Sequence, residues 1–164
     1  MTRATALALT LLLSACGLRP LYGGGESSPI AATLSAIEVA PIEGQAGWLV
    51  RNKLVERLGG SSTGNSYRLV VTLDDNITAF GIRGDRAATY ERRTLRARYQ
   101  LVDAATGSVL LDATAGSDAG IDIVSSEYAT VAAEQTALER LSGQLADQIV
   151  TRLALYATRV RPSQ

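Results

Sequence analysis

The sequence predicts an α+β domain, a two-layer sandwich in which a four-stranded mixed sheet carries two amphipathic helices on one face, in the order β-α-β-β-β-α. Three observations predict it. Two stretches, 45–58 and 126–156, repeat apolar residues at helical spacing. Three segments between them alternate apolar and polar side chains, as strands with one buried face do. A further strand-like segment precedes the first helix, so a strand–helix–strand unit opens the domain, and a right-handed crossover is the expected connection.

In chain order, Thr33 to Ala40 reads as the first strand, with Ile37 and Val39 alternating against Ala36 and Glu38, and Pro41 ends it. Gln45 to Leu58 is the first helix: Val50, Leu54 and Leu58 recur every four residues, and Gly59-Gly60 supplies a C-terminal stop. Ser61 to Ser66 is a polar loop. Tyr67, Leu69, Val71 and Leu73 then form one strand face, with Arg68, Val70 and Thr72 on the other. Asp74-Asp75-Asn76 suits a turn, while Ile77 and Phe80 suggest a strand that resumes beyond a bulge. Gly81 to Ala87 reads as a hairpin loop.

Thr89 to Val102 is a long strand. Leu95, Ala97, Tyr99 and Leu101 make one face, and Arg92, Thr94, Arg96, Arg98 and Gln100 the other. Asp103 to Gly107 is a tight connection, after which Val109, Leu111, Ala113 and Ala115 give the inward face of a fourth strand. Gly116 to Val124 reads as a loop. Ser125 or Ser126 can cap the last helix, with Glu127 favourably placed in its first turn. Its stripe is Val131, Leu138, Leu141, Leu145, Ile149, Leu153 and Tyr156. Two helices cover one face of such a sheet, so the arginine-bearing face must meet water or a polar partner.

Ahead of this domain lies Leu13-Ser14-Ala15-Cys16, a Leu and two small residues before the sole cysteine of the chain. The preceding run from Ala4 to Leu13, behind Arg3, is too short to span a bilayer and has the length of a signal-peptide core. This is the lipobox pattern of bacterial lipoproteins, and small residues beside the scissile bond admit the peptidase. An ordinary secretory peptide with an incidental cysteine is the bland alternative. Residues 1–15 are thus expected to be cleaved, 16–29 to form a lipidated tether rich in Gly and Ser, 30–158 to form the domain, and 159–164 a basic tail. Diacylglycerol and N-acyl chains on Cys16 would anchor the protein stably, since each buried methylene contributes about 0.8 kcal/mol. Gly17 matches the outer-membrane default for such anchors. Leu18 to Tyr22 either docks on the domain or sits at the membrane interface.

Composition narrows the function classes. The 16 basic and 16 acidic residues cancel, so no pull toward nucleic acid is implied. Lys53 is the only lysine, and the arginine bias reflects either anion recognition or GC-rich coding. The chain has no histidine, and lipidation consumes its one thiol. Asp74 and Asp75 are adjacent, so on a strand they point apart and make no acid–base pair. No carboxylate loop of metal-binding spacing occurs. The expected protein is not an enzyme and needs no cofactor beyond the covalent lipid.

At Cys16 to Tyr22, Cys-Gly-Leu-Arg-Pro-Leu-Tyr resembles the start of mature LptE lipoproteins, although Leu18 stands where an aromatic residue is common. Arg93-Thr94-Leu95, Arg98 to Asp103 and Ser125 to Ala129 are similar to the same family, alphaproteobacterial members especially. The resemblance implies an outer-membrane lipoprotein on the periplasmic side that plugs an LptD-type β-barrel and assists lipopolysaccharide assembly at the outer leaflet. It also implies direct lipopolysaccharide contact by basic side chains near the central hairpin. Arg83, Arg86, Arg92, Arg93, Arg96 and Arg98 qualify by type and place, six arginines against Asp85 and Glu91 in that stretch. Arg92, Arg96 and Arg98 share a face. They serve anion recognition, pair with acids in a barrel lumen, or form a solvated face with salt bridges to Asp85 and Glu91. The alternative function is a periplasmic auxiliary lipoprotein of a lipid-exporting ABC system.

Overall fold

In a computed structural model, which describes residues 29–59, 66–82, 88–124 and 126–160, helices and sheet meet along the odd-numbered residues of two long central strands. The elements are α1 (Pro29–Ser35), β1 (Ile37–Val39), α2 (Gly44–Leu58), β2 (Tyr67–Ile82), β3 (Ala88–Asp103), β4 (Val109–Asp122) and α3 (Glu127–Arg159). The strands form one sheet in the order β1-β2-β3-β4. β1 runs parallel to β2, and β2–β3 and β3–β4 are antiparallel. The sandwich of a mixed four-stranded sheet with α2 and α3 is therefore the one the sequence predicts. Residues 1–28 and 161–164, with Cys16, the expected tether up to Ser28 and the expected tail beyond Val160, lie outside the described residues, as do Arg83 and Arg86.

The pleat of β3 sorts its side chains as expected. Leu95, Ala97, Tyr99 and Leu101 are buried, and Leu69 and Val71 of β2 join them. Opposite sit Val50, Leu54 and Leu58 of α2 and Leu138, Leu141, Leu145, Ile149 and Leu153 of α3. The two helices run side by side in the same direction, with Gln45 Nε2 donating to Gln135 Oε1 at 3.0 Å and Arg57 Nε to Asp147 Oδ1 at 2.6 Å. Gly59 stops α2 in the left-handed conformation at φ 89°, and its N–H donates to the Val55 carbonyl. Ser126 caps α3 by accepting from the Ala129 N–H.

Four local expectations change. The segment expected as strand from Thr33 is a short helix as far as Ser35, which makes the order α-β-α-β-β-β-α. Proline suits a first helical position, Ala31 and Ala32 favour helix, and Leu34 finds burial there. Asp74-Asp75-Asn76 makes no turn: β2 pairs one-to-one with β3 through all three. The strand tolerates the acids because β3 sets Arg93 and Arg96 nearby. β4 continues through Gly116 to Asp122 instead of ending in a loop. At its start a register shift against Leu101/Val102 leaves Val109 exposed rather than inward.

Lengths decide what stays uncovered. Strands of 16 residues extend about 50 Å. The 33 residues of α3 match that length, whereas the 15 of α2 reach about half of it. The distal parts of β2 and α3 are consequently bare, with Ile77, Tyr128 and Val131 exposed. Val131, assigned to the apolar stripe, thus lies beyond the core. Leu145 sits at its centre with no exposure, so Leu145→Ala is expected to cost about 2–5 kcal/mol. Chemical unfolding of the two proteins measures it, and an unchanged midpoint would show that the stripe packs elsewhere.

Candidate functional site on the helix-free sheet face

Even-numbered residues of β2, β3 and β4 build the face that no described helix covers. Because the register is continuous, its rows are read directly: Val70, Gln100 and Asp112; Thr72, Arg98 and Thr114; Asp74, Arg96 and Gly116; Asn76, Thr94 and Asp118; Thr78, Arg92 and Gly120; Phe80, Tyr90 and Asp122. Polar side chains fill the middle rows. Val70 and Phe80 are the exposed large apolar residues among these six rows, one at each end. A depression of about 560 Å³ crosses the three strands at Thr72–Asp74, Arg96–Arg98 and Thr114–Gly116, and Gln148 of α3 also lines it.

The described arginines do different things. Arg98 grips Asp112 with two hydrogen bonds, Nε at 3.1 Å and Nη2 at 2.8 Å, and Gln100 donates to the same carboxylate at 2.9 Å. The Arg98 fork, and Gln100 after it, hold the Asp112 carboxyl at about 2, well below its ordinary range. The same pairing raises the Arg98 guanidinium. Arg96 lies over Gly116, where a Cβ would stand 3.0 Å from its Nη1. Arg92 sits 5.2 Å above the Phe80 ring, a cation–π stack on the open face. Tyr90 lies across Gly120, where any Cβ would collide with its hydroxyl and ring. Glycine in β4 therefore seats the long side chains that β3 lays over it.

Arg93 belongs to the other side of the sheet. Its Nε and Nη2 donate to Asp75 at 2.9 and 2.6 Å, and Nη1 donates to the Glu134 carbonyl of α3 at 3.0 Å. That side chain is 12% exposed and locks the distal hairpin to the helix. Glu91 also faces the helix side. Burial, and the Glu134 carboxyl in front of it, push its carboxyl up. The open-face arginines thus find their described partners in Asp112 and Phe80 rather than in Glu91. Among the described residues, no three His, Cys, Asp or Glu side chains are grouped to hold a metal. No helix among them is long and apolar enough to cross a membrane.

Sequence reasoning brought Arg92, Arg96 and Arg98 together and missed the aromatic residues beside them. Phe80 and Tyr90 carry the even parity of Arg92, which the one-to-one pairing through Asp74–Asn76 would have revealed. The Arg98–Asp112 grip depends on the β3–β4 register beyond the shift at Leu101/Val102, which sets Asp112 across from Gln100 and one row from Arg98.

This architecture has known counterparts. A candidate lipoprotein from Caulobacter crescentus CB15 superposes with a TM-score of 0.70 at 26% identity, covering 83% of this chain and 100% of that one. Rare lipoprotein B from Shewanella oneidensis shares the fold at TM-score 0.59 and 8% identity, over 76% of this chain and 96% of its own. An uncharacterized lipoprotein B from Nitrosomonas europaea does so at 0.57 and 12%, over 76% and 88%. No curated protein sequence matches the chain. The sequence model of the LptE family, described as lipopolysaccharide-assembly, matches residues 34–153, well over half of the chain and nearly all of the sandwich. The chain therefore belongs to the LptE family, the lipopolysaccharide-assembly lipoproteins of the bacterial envelope.

Proposed function

We propose that this protein is held in the outer membrane by acyl chains on Cys16 and plugs an LptD-type β-barrel, and that its helix-free sheet face meets lipopolysaccharide and the polar lumen. The observation that carries the reading is the face itself. One whole side of a hairpin of two 16-residue strands carries no described helix and is polar across its middle rows. A barrel lumen is polar, so such a face can sit inside one without burying unpaired apolar surface. In this reading the domain works by binding, not by catalysis.

The geometry ranks the arginines for the role of anion donor. Lipid A carries phosphate groups, which guanidinium forks bind with paired hydrogen bonds. An anion approaching Arg98 meets Asp112, whose carboxyl stays ionised down to about pH 2. Arg96 stands directly across from Asp74. The row neighbours of Arg92, Thr78 and Gly120, are both uncharged. Phe80 beneath it holds the guanidinium without neutralising it. Arg92 is accordingly the foremost described candidate, with Arg83 and Arg86 beside it in sequence, and Arg93 acts as a tie between sheet and helix.

Two experiments test these statements. Cys16→Ser is expected to abolish acyl labelling and release the protein from membranes, and unchanged labelling and fractionation would overturn the anchor. Arg83, Arg86 and Arg92 replaced together by Gln should weaken lipopolysaccharide binding by the isolated domain and leave barrel co-purification intact. Lost co-purification with retained lipid binding would move these arginines to the barrel interface. No change in either would return them to a solvated surface.

A further inference from the structure

Two carboxyl groups face one another at the joint between β3 and the distal half of α3. Glu91 has the odd parity of Arg93 and Leu95, so its side chain leaves β3 toward the helix. Arg93, two residues along, donates to the Glu134 carbonyl at 3.0 Å, which sets that turn of α3 over the same strand. Side chains on a helix lean toward its N-terminus. β4 ends beside Tyr90 and α3 starts five residues later, so its N-terminus lies at the distal end of the sheet. The Glu134 carboxyl therefore leans from Arg93 toward Glu91 and comes within hydrogen-bond reach of it.

Among the described residues, none supplies a hydrogen to that contact. Glu91 Oε2 is buried, and no described N–H or O–H donates to it. Its row neighbours, Ala79 on β2 and Ile121 on β4, carry apolar side chains. Arg93 is the nearest cation on this face, and its nitrogens are engaged, Nε and Nη2 on the Asp75 carboxylate and Nη1 on the Glu134 carbonyl. On α3 the titratable groups before Arg140 are Glu127, Tyr128, Glu134 and Glu139, with no cation among them. Arg92 on β3 and Asp118 and Asp122 on β4 lie on the opposite face. Ionised carboxylates only accept hydrogen bonds, so two of them withdrawn from water against each other are left without a donor. One proton removes the conflict: the carboxyl that holds it donates and the other accepts, in a charge-assisted bond. Burial, and the Glu134 carboxyl in front of it, both favour that protonated form of Glu91.

We propose that Glu91 and Glu134 share one proton, which latches the first two turns of α3 to β3, and that loss of this proton releases them. Location gives the latch its leverage. α2 stops short of this end, so α3 alone covers the sheet there, and its Tyr128 and Val131 are exposed rather than packed. Arg93 keeps its charge at every pH a protein tolerates, so its bond to the Glu134 carbonyl stays as a pivot. The turns from Glu127 to Glu134 are the part that moves. Folded Glu91 holds its proton more tightly than a Glu91 freed by opening. The latch is therefore closed in acid and loses its hold as pH rises through the raised value.

Carbon-13 titration of the glutamate carboxyls and backbone amide exchange, both on the full lipoprotein in an uncharged detergent, test the latch. One proton should leave above the ordinary glutamate range, and the carboxyl carbons of both Glu91 and Glu134 should sense it. Across that step, protection of the Val131–Gln135 amides should fall relative to Leu145–Ile149. The fall should be about tenfold for each pH unit between the step and the ordinary value. Glu91→Gln sets an amide donor against the Glu134 carboxylate, so its protection in Val131–Gln135 should no longer vary with pH. Glu134→Gln gives Glu91 a donor and should abolish the raised step. If either variant fails to fold, the wild-type titration decides alone. Two carboxyls that titrate independently in the ordinary range overturn the shared proton. A raised step that leaves the relative protection unchanged overturns the latch. A step that moves with added calcium or with EDTA shows a cation in place of the proton and also overturns the proposal.

Discussion

The two-residue period of β3 governs this structure. One register places Leu95, Ala97, Tyr99 and Leu101 against the helices and, by the same step, Arg92, Arg96 and Arg98 on the opposite face. A slip of one residue would bury three guanidinium groups and expose the core, so the burial of the apolar face also fixes the orientation of the charged one. Neighbouring strands respect that geometry. β4 supplies glycine where Arg96 and Tyr90 lie flat, and β2 supplies Asp75 where Arg93 points inward. The arrangement of the candidate site is thus a consequence of how the core packs.

Unequal lengths turn this sandwich into something other than a closed domain. α3 spans the strands and α2 stops halfway, so the far end of the hairpin lacks a second helix. The Arg93–Asp75 pair and the bond from Arg93 to the Glu134 carbonyl sit at that end and tie β2, β3 and α3 together. At 12% and 25% side-chain exposure the pair is partly withdrawn from water, and breaking it by removing one partner leaves the other charge poorly solvated. Polar ties replace apolar packing where the helix layer runs out. Ile77, Phe80, Tyr128 and Val131 remain exposed there. Exposed apolar side chains thus gather at one end, Ile77 and Phe80 on the hairpin and Tyr128 and Val131 on α3.

Most of the architecture is legible in the sequence because it rests on periodicity. The stripes of α2 and α3 and the alternation of Tyr67–Leu73 and Leu95–Leu101 each follow from one side facing the core. The failures share a physical origin. Asp74-Asp75-Asn76 carries turn chemistry, yet the cross-strand arginines of β3 outweigh that local preference. Gly116 and Gly120 read as loop residues because the sequence does not display the side chains lying over them. Pro29 to Ser35 holds too few residues for a helical period to stand out. Where a residue's role is decided by what crosses it from another strand, a single chain read in order does not display it. The site was legible to the same extent: parity grouped Arg92, Arg96 and Arg98, while the stack on Phe80 and the grip on Asp112 needed the register between strands.

Electrostatics within the face give its two ends different characters. Near the Asp103–Gly107 turn, Arg98 and Gln100 saturate Asp112, and Arg68 stands 3.9 Å from Glu38, so charges there are largely compensated inside the protein. Toward the hairpin tip Arg92 rests on an aromatic ring beside neutral row neighbours, with Asp118 and Asp122 one row away on either side and Glu91 turned to the helix side. A cation over an aromatic ring keeps its charge and its outward N–H groups, whereas one gripped by a carboxylate has spent them. The stacked Arg92 therefore lies at the same end as the exposed Ile77 and Phe80. Apolar side chains and a guanidinium stacked on an aromatic ring thus share the end where the helix layer gives out.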